Sequence, residues 1–249
     1  MSGKKIDLTK DWAKSRDAIS SQDAHWSDAH GTTEEKLSAF PRFVDRTSLS
    51  RFLVKSEIFR RIQHVQGSII ECGVHFGGGL MTWANLSTLY EPLNHRRRII
   101  GFDTFEGFPS VAEIDTQGES DQAIEGGYNG GSIEEIERSI EYYDETRPLN
   151  HIPKVEVVKG NFLETCDQFL ADNPHVVISL IYLDFDIYEP TKHALEKFLP
   201  RMPRGAIVAF DELHVEEWPG ETMALHEVVG IKNTKIERLP FSSISWWQL

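Results

Sequence analysis

Cysteine is scarce in this chain: two residues, Cys72 and Cys166, in 249. Two thiols build neither a disulfide framework nor a zinc set. Both lie in apolar segments, where small buried residues of a reducing compartment are expected. Long hydrophobic runs are missing too; none reaches the roughly 18–20 residues of a membrane helix. The first residues, Met1 to Lys14, are polar and charged, unlike a secretory signal, so a cytoplasmic protein is expected. Basic charge is in deficit, with 26 Lys and Arg against 39 Asp and Glu and a net charge of −13. This argues against a nucleic acid partner, whose phosphates need a basic surface. There is no internal repeat and no low-complexity linker.

What is present alternates. Arg46 to Val65 carries Leu49, Phe52, Leu53, Phe59, Ile62 and Val65 at spacings near three and four, the pattern of an amphipathic helix, and Gly67 ends it. Short apolar runs follow at Ser68–Cys72, Arg98–Asp103, Val155–Val158, Val176–Leu183 and Gly205–Phe210. Helical stretches lie between and beyond them, at Leu80–Tyr90, Pro190–Leu199 and Glu221–Val228. Lys235–Leu239 and Ser243–Gln248 are two further strand candidates, and Trp246-Trp247 are expected to pack an edge strand. Alternating strands and helices predict an α/β, Rossmann-like doubly wound sheet with helices on both faces. The uninterrupted apolar runs at 176–183 and 205–210 suit central parallel strands. Residues 1–45 form an arm with short helices, carrying Trp12 and Trp26, and 46–249 form the main domain. The acidic, glycine-rich segment Ser110–Gly131, roughly twenty residues without a predicted element, fits a lid.

In such sheets ligands bind at the carboxyl ends of the strands. Glu71, Asp103, Asp184 and Asp211 fall on that edge. The glycines Gly73, Gly77, Gly78 and Gly79 follow the first strand. No Lys-Ser/Thr follows them, which excludes a P-loop, and Val74, His75 and Phe76 break the dinucleotide fingerprint. What remains is a small-residue turn beside a helix N-terminus, or simply a tight turn. A helix N-terminus favours a carboxylate, and S-adenosylmethionine carries one on its amino-acid tail. Glu71 is then placed for the ammonium group and Asp103 for the ribose hydroxyls. Thr104 and Phe105 after Asp103, and Gly160-Asn161 after the third strand, complete the candidate cofactor contacts with Asp184.

Asp184-Phe185-Asp186 and Asp211-Glu212 form a second group. Adjacent parallel strands bring these carboxylates together, and clustered carboxylates stay ionised only beside a cation. Oxygen ligands suit Mg²⁺, with Mn²⁺ or Ca²⁺ as alternatives. Capping of the following helices is the plainer reading. His214, three residues past Asp211, is a candidate base or ligand, or an ordinary loop histidine; His75 in the glycine turn has the same two readings. Phe105, Phe108 and Tyr188 are placed to flank an adenine or a sugar, and Tyr182 to pack in the core.

Three segments, Ile70-Glu71-Cys72-Gly73-Val74-His75-Phe76-Gly77-Gly78, Phe102-Asp103-Thr104-Phe105-Glu106-Gly107-Phe108-Pro109 and Leu183-Asp184-Phe185-Asp186-Ile187-Tyr188-Glu189-Pro190-Thr191, resemble the macrocin O-methyltransferase family. The resemblance runs from about Arg46 to Glu227. It implies a class I methyltransferase fold, a seven-stranded, mostly parallel sheet whose last strand is antiparallel. It also implies Mg²⁺ dependence, homo-oligomers and a hydroxyl acceptor on a deoxysugar. Carried over by motif, Asp184, Asp211 and Glu212 hold the metal and Asp186 is the base. The family often has two aspartates where this chain has Asp211-Glu212. An Asp-x-Asp glycosyltransferase and a non-catalytic binding protein are the rival readings.

Overall fold

A computed structural model describes residues 21–118 and 120–249, without the side chain of Asn233. Trp12 and the rest of residues 1–20 lie outside the described residues, as does Glu119 of the expected lid. Contacts divide the described residues into two compact units, one up to Leu49 and one from Ser50 to Leu249.

In the first unit, α1 (Gln22–Asp28) and α2 (Thr33–Ser38) are short. The Thr32 hydroxyl and the Glu35 carboxylate cap α2 reciprocally. The Trp26 ring meets Phe43 edge-on at 4.7 Å. Helix α3 (Arg46–Ile62) starts here and continues into the second unit.

The second unit contains seven strands: β1 (Ser68–Cys72), β2 (Ile99–Asp103), β3 (Val155–Lys159), β4 (Ile178–Leu183), β5 (Ile207–Phe210), β6 (Ile236–Arg238) and β7 (Ser245–Gln248). Their order is β3-β2-β1-β4-β5-β7-β6. The first five are parallel, and β7 runs antiparallel to both its neighbours. Strand alternation explains the two-layer cover. Ile70, Ile100, Ile181 and Val208 face one side, against α6 (Phe162–Asp172), α7 (Tyr188–Phe198) and α8 (Gly220–Val228). Ile69, Ile99, Leu180 and Ile207 face the other, against α3, α4 (Gly78–Tyr90) and α5 (Ile133–Thr146). Each fully buried aliphatic side chain contributes about 1.5–3 kcal/mol.

The expected α/β fold is present, with five corrections. Trp246 and Trp247 are not on an edge strand: β7 lies between β5 and β6, and Trp246 is buried in the core. Helix α6 was not expected after Gly160-Asn161; Asn161 caps it, accepting from the Leu163 amide at 3.1 Å. The buried stripe of α3 is Ser50, Val54, Lys55, Ile58, Phe59 and Ile62, while Phe52 and Leu53 are exposed. Helix α3 stops at Ile62, before Gly67, and the buried Arg97 guanidinium donates to the carbonyls of Ile62, Val65 and Gly67. Gly67, at φ +141°, lets the chain pass β4, since a Cβ there would lie 2.6 Å from the Ser179 amide nitrogen. The segment 110–131 is not structureless either. Buried Asp115 accepts from the amides of Tyr188 (2.9 Å) and Ala112 (3.1 Å) and fastens it to the start of α7.

Candidate active site

The parallel strands end level with one another. Cys72 pairs with Phe102 and Leu183, and Leu183 with Phe210. Backbone bonds continue the ladder one residue further: Gly73 N to Phe102 O (2.9 Å), Asp184 N to Cys72 O (2.8 Å), Asp211 N to Leu183 O (3.0 Å) and Gly160 N to Asp103 O (2.9 Å). Gly73, Asp103, Asp184 and Asp211 thus share one edge. The strand order reverses between β1 and β4, where such sheets open a crevice. Gly73 sits there at φ +90°, and a Cβ on it would lie 2.0 Å from the Asp184 carbonyl oxygen.

The β1–β2 side is built mainly from backbone. Gly77, at φ +80°, precedes the first turn of α4. Around Gly78 an added Cβ would meet open space, whereas on Gly79 it would strike the Glu71 carboxylate, 1.7 Å from Oε1. Gly79 is therefore small to admit Glu71, a residue inside β1 that is 2% exposed and whose Oε2 has no hydrogen-bond partner. Burial pushes the Glu71 carboxyl up to about 8, against the pull of Lys55. Asp103 is engaged three times: Oδ2 accepts from the Val74 (2.7 Å) and His75 (2.8 Å) amides and Oδ1 from the Phe105 amide (2.7 Å). A carboxylate has about four lone-pair sites, so little more than one remains for a ribose hydroxyl.

Several expected cofactor contacts hold the local fold. Thr104 donates from its hydroxyl to the Gly107 carbonyl, at 2.6 Å. Phe105 and Val74 are buried in the core. Gly160 takes φ +134° ahead of the Asn161 cap. The His75 ring packs edge-on against Phe76 at 4.3 Å.

The β4–β5 side is built from carboxylates. Asp184 is pushed up to about 7 by burial and Asp211, and Glu212 to about 7 by the same two causes. Asp186, at φ +61°, is held well above the usual carboxylate range by burial and by Asp184 and Glu212. The two oxygens of Asp211 are taken, Oδ1 by the Tyr182 hydroxyl and Oδ2 by the Arg51 guanidinium. His214 lies exposed on the following loop, at φ +65°, its amide donating to the Thr222 hydroxyl at 2.8 Å. Tyr188 is not brought in by its hydroxyl, which donates to Glu227 of α8.

Three features were not expected from the sequence: Glu221, the Arg51–Lys55 pair, and the company that Phe108 keeps. Glu221, in the first turn of α8, is fully buried; its Oε2 accepts from the Glu212 amide at 3.0 Å and its Oε1 has no partner. Arg51 and Lys55, one turn apart on α3, face the acids, and the Lys55 ammonium lies 3.7 Å from the Tyr182 ring centre. Phe108, Tyr128 and Trp218 form an aromatic wall, with ring centres 5.5–6.0 Å apart. The Tyr128 phenol is raised by burial and then by Asp186, Glu212 and Asp184, so it stands within their field. Charged residues at i and i+4 inside an apolar pattern were the legible signal for Arg51 and Lys55.

The donor set suits a hard divalent cation: only oxygens, desolvated and mutually repelling, with one buried carboxylate oxygen of Glu221 unpartnered. Among the described residues, no three His, Cys, Asp or Glu side chains stand at metal-ligand spacing. Asp211 is turned to Arg51 and Tyr182 instead.

Sheet order, an antiparallel strand beside the last parallel one and a glycine turn at the end of the first strand define the class I O-methyltransferase fold. The structure of NovP, an O-methyltransferase, superposes with a TM-score of 0.63 at 21% identity over 80% of this chain and 78% of that one, a likeness of fold. The chain belongs to the macrocin O-methyltransferase family, whose model matches residues 48–246. The calicheamicin methyltransferase CalS11 is 32% identical, with a TM-score of 0.88 over 100% of this chain and 98% of that one. An apo structure of CalS11, described as a TDP-rhamnose 3'-O-methyltransferase, gives 0.80 over 94% of each chain. Among curated proteins, the 8-demethyl-8-(2,3-dimethoxy-alpha-L-rhamnosyl)-tetracenomycin-C 4'-O-methyltransferase of Streptomyces olivaceus is 27% identical over 61% of this chain and 55% of its own. The demethyldecarbamoylnovobiocin O-methyltransferase of Streptomyces niveus is 26% identical over 60% and 53%. The chain's matches span about half the length of these curated relatives. No helix among the described residues is long and apolar enough to cross a membrane.

Proposed function

We propose that the protein methylates a hydroxyl of a deoxysugar, free, nucleotide-linked or within a glycosylated small molecule, using S-adenosylmethionine and a divalent cation. The observation that carries this reading is the meeting of two unlike halves at one crevice. A glycine turn with the N-terminus of α4 and buried Glu71 lies on one side. Desolvated carboxylates of β4 and β5 lie on the other. When bound, S-adenosylmethionine supplies an electrophilic methyl group and the cation, Mg²⁺ first, supplies positive charge that acidifies a hydroxyl. Asp184, Asp211 and Glu212 would hold the cation.

The protein's own tasks follow. The open space at Gly78 and the amides of α4 receive the amino-acid tail, with Glu71 toward its ammonium group. Asp103 fixes the turn and offers its remaining lone pair to the ribose. Phe108, Tyr128 and Trp218 give a sugar's apolar face a surface beside the acids. Asp186 takes the hydroxyl proton; desolvation makes its ionised form a stronger base than a solvated carboxylate. Positioning of donor and acceptor in line should supply much of the rate. The segment 110–131, fastened by Asp115, covers the site and tightens over bound acceptor. The protein works as a cytoplasmic homo-oligomer.

The test is transfer of labelled methyl from S-adenosylmethionine to nucleotide-deoxysugars and to glycosides, after EDTA treatment and with Mg²⁺ restored. Methylation of at least one sugar that EDTA stops and Mg²⁺ restores is expected. Activity untouched by EDTA would remove the cation, and no transfer to any sugar would remove the acceptor class.

A further inference from the structure

The acid cluster has an internal cation. Asp211 is 1% exposed, yet the Arg51 side chain that pairs with it is 43% exposed. The Arg51 side chain therefore keeps access to solvent while its guanidinium meets a buried carboxylate. Arg51 forms an ion pair with Asp211, whereas Lys55, the second cation facing these acids, lies against the Tyr182 ring. The guanidinium occupies Oδ2 of Asp211, while the Tyr182 hydroxyl occupies Oδ1. The neighbouring Glu221 keeps one buried oxygen with no partner at all. The cluster is thus short of positive charge and donors even with Arg51 in place, and its best-buried strand-end acid is spoken for.

We propose that Arg51 is a built-in competitor for the divalent cation: the guanidinium holds Asp211 in the ion-free protein and must swing outward before Asp211 can serve as a ligand. The inference rests on the cation reading above. It makes Arg51 a positioning residue, acting through Asp211. A site whose competent state is populated only in part binds its ligand more weakly by that fraction. An ion pair that leaves Asp211 free about a tenth of the time weakens metal binding about tenfold, and removing the pair returns that factor. The pair also keeps Asp211 paired while no metal is present, where an uncompensated buried charge is costly.

The experiment is direct binding of Mn²⁺, without substrate, by electron paramagnetic resonance of the free ion, in the wild-type protein, Arg51→Gln and Arg51→Lys. Arg51→Gln is expected to bind Mn²⁺ about tenfold more tightly than wild type. Arg51→Lys, which keeps the charge but not the planar fork, should fall between them. Thermal unfolding supplies a second measure: Arg51→Gln should melt below wild type without metal and close to it at saturating Mn²⁺. Equal or weaker Mn²⁺ binding by both variants, with wild type binding normally, overturns the role of Arg51 and leaves the cation reading standing. Absence of Mn²⁺ binding in all three proteins overturns both.

Discussion

Asp103 and Asp184 are the same residue type, one strand apart from each other across β1, at the same edge of the same sheet. Their surroundings differ in kind. Asp103 receives three backbone amides within 2.8 Å, so its charge is spent on holding the glycine turn. Asp184 is pushed up to about 7 by desolvation and then by Asp211, with Glu212 adding to it. A carboxylate met by amides is a structural clamp; carboxylates that face one another stay ionised only beside positive charge. The two halves of the crevice therefore differ: the Asp103 turn is satisfied by its own backbone amides, while the acids of β4 and β5 are electrically incomplete.

The sharpest break in this contrast is on the incomplete side. Asp186→Asn should lower turnover by about 10²–10⁴-fold, while binding of S-adenosylhomocysteine, read by calorimetry, stays near wild type. Near-normal turnover would remove Asp186 as the base. A smaller effect is expected on the Asp103 side. Asp103→Ala orphans three amides at once and should cost about 2–3 kcal/mol in urea unfolding, with cofactor affinity falling alongside it. An unchanged unfolding midpoint would mean that the turn holds without its clamp.

The smallest effect tests a residue that belongs to both sides. Glu71 lies in β1 but feels Lys55, Asp184 and Asp211. Its folded carboxyl is raised from 4.5 to about 8, so the folded state keeps the proton longer than the unfolded chain. Its contribution is then whole below about pH 4.5 and is lost as pH rises through about 8. Glu71→Gln should match wild type in ligand-free melting near pH 5 and exceed it near pH 8, by about 2–4 °C for each kcal/mol recovered. Parallel melting curves from pH 5 to 8 would show that Glu71 is not buried as a charge.

The strands and their polar ends were legible because each is a local pattern: an apolar run, then an acid or a glycine. The Asp184-Phe185-Asp186 and Asp211-Glu212 groups were found in this way. Helix α6 was not legible although Asn161 caps it, because a Gly-Asn pair after a strand fits a ligand-contacting turn as well as a helix start. The stripe of α3 was misplaced because its buried face includes Lys55, which hydropathy assigns to solvent.

By itself the sequence determined the alternation of strands and helices, the sheet edge that carries the acids, and the small residues that the turn after β1 requires. Those depend on periodicity and backbone sterics within a few residues. Tertiary structure alone decided that Arg51 meets Asp211, that Glu221 is buried within reach of the strand-end acids, and that Tyr128 reaches the acids from segment 110–131. These encounters join residues up to 160 positions apart, and charge pairing across such a distance leaves no periodic trace in the chain.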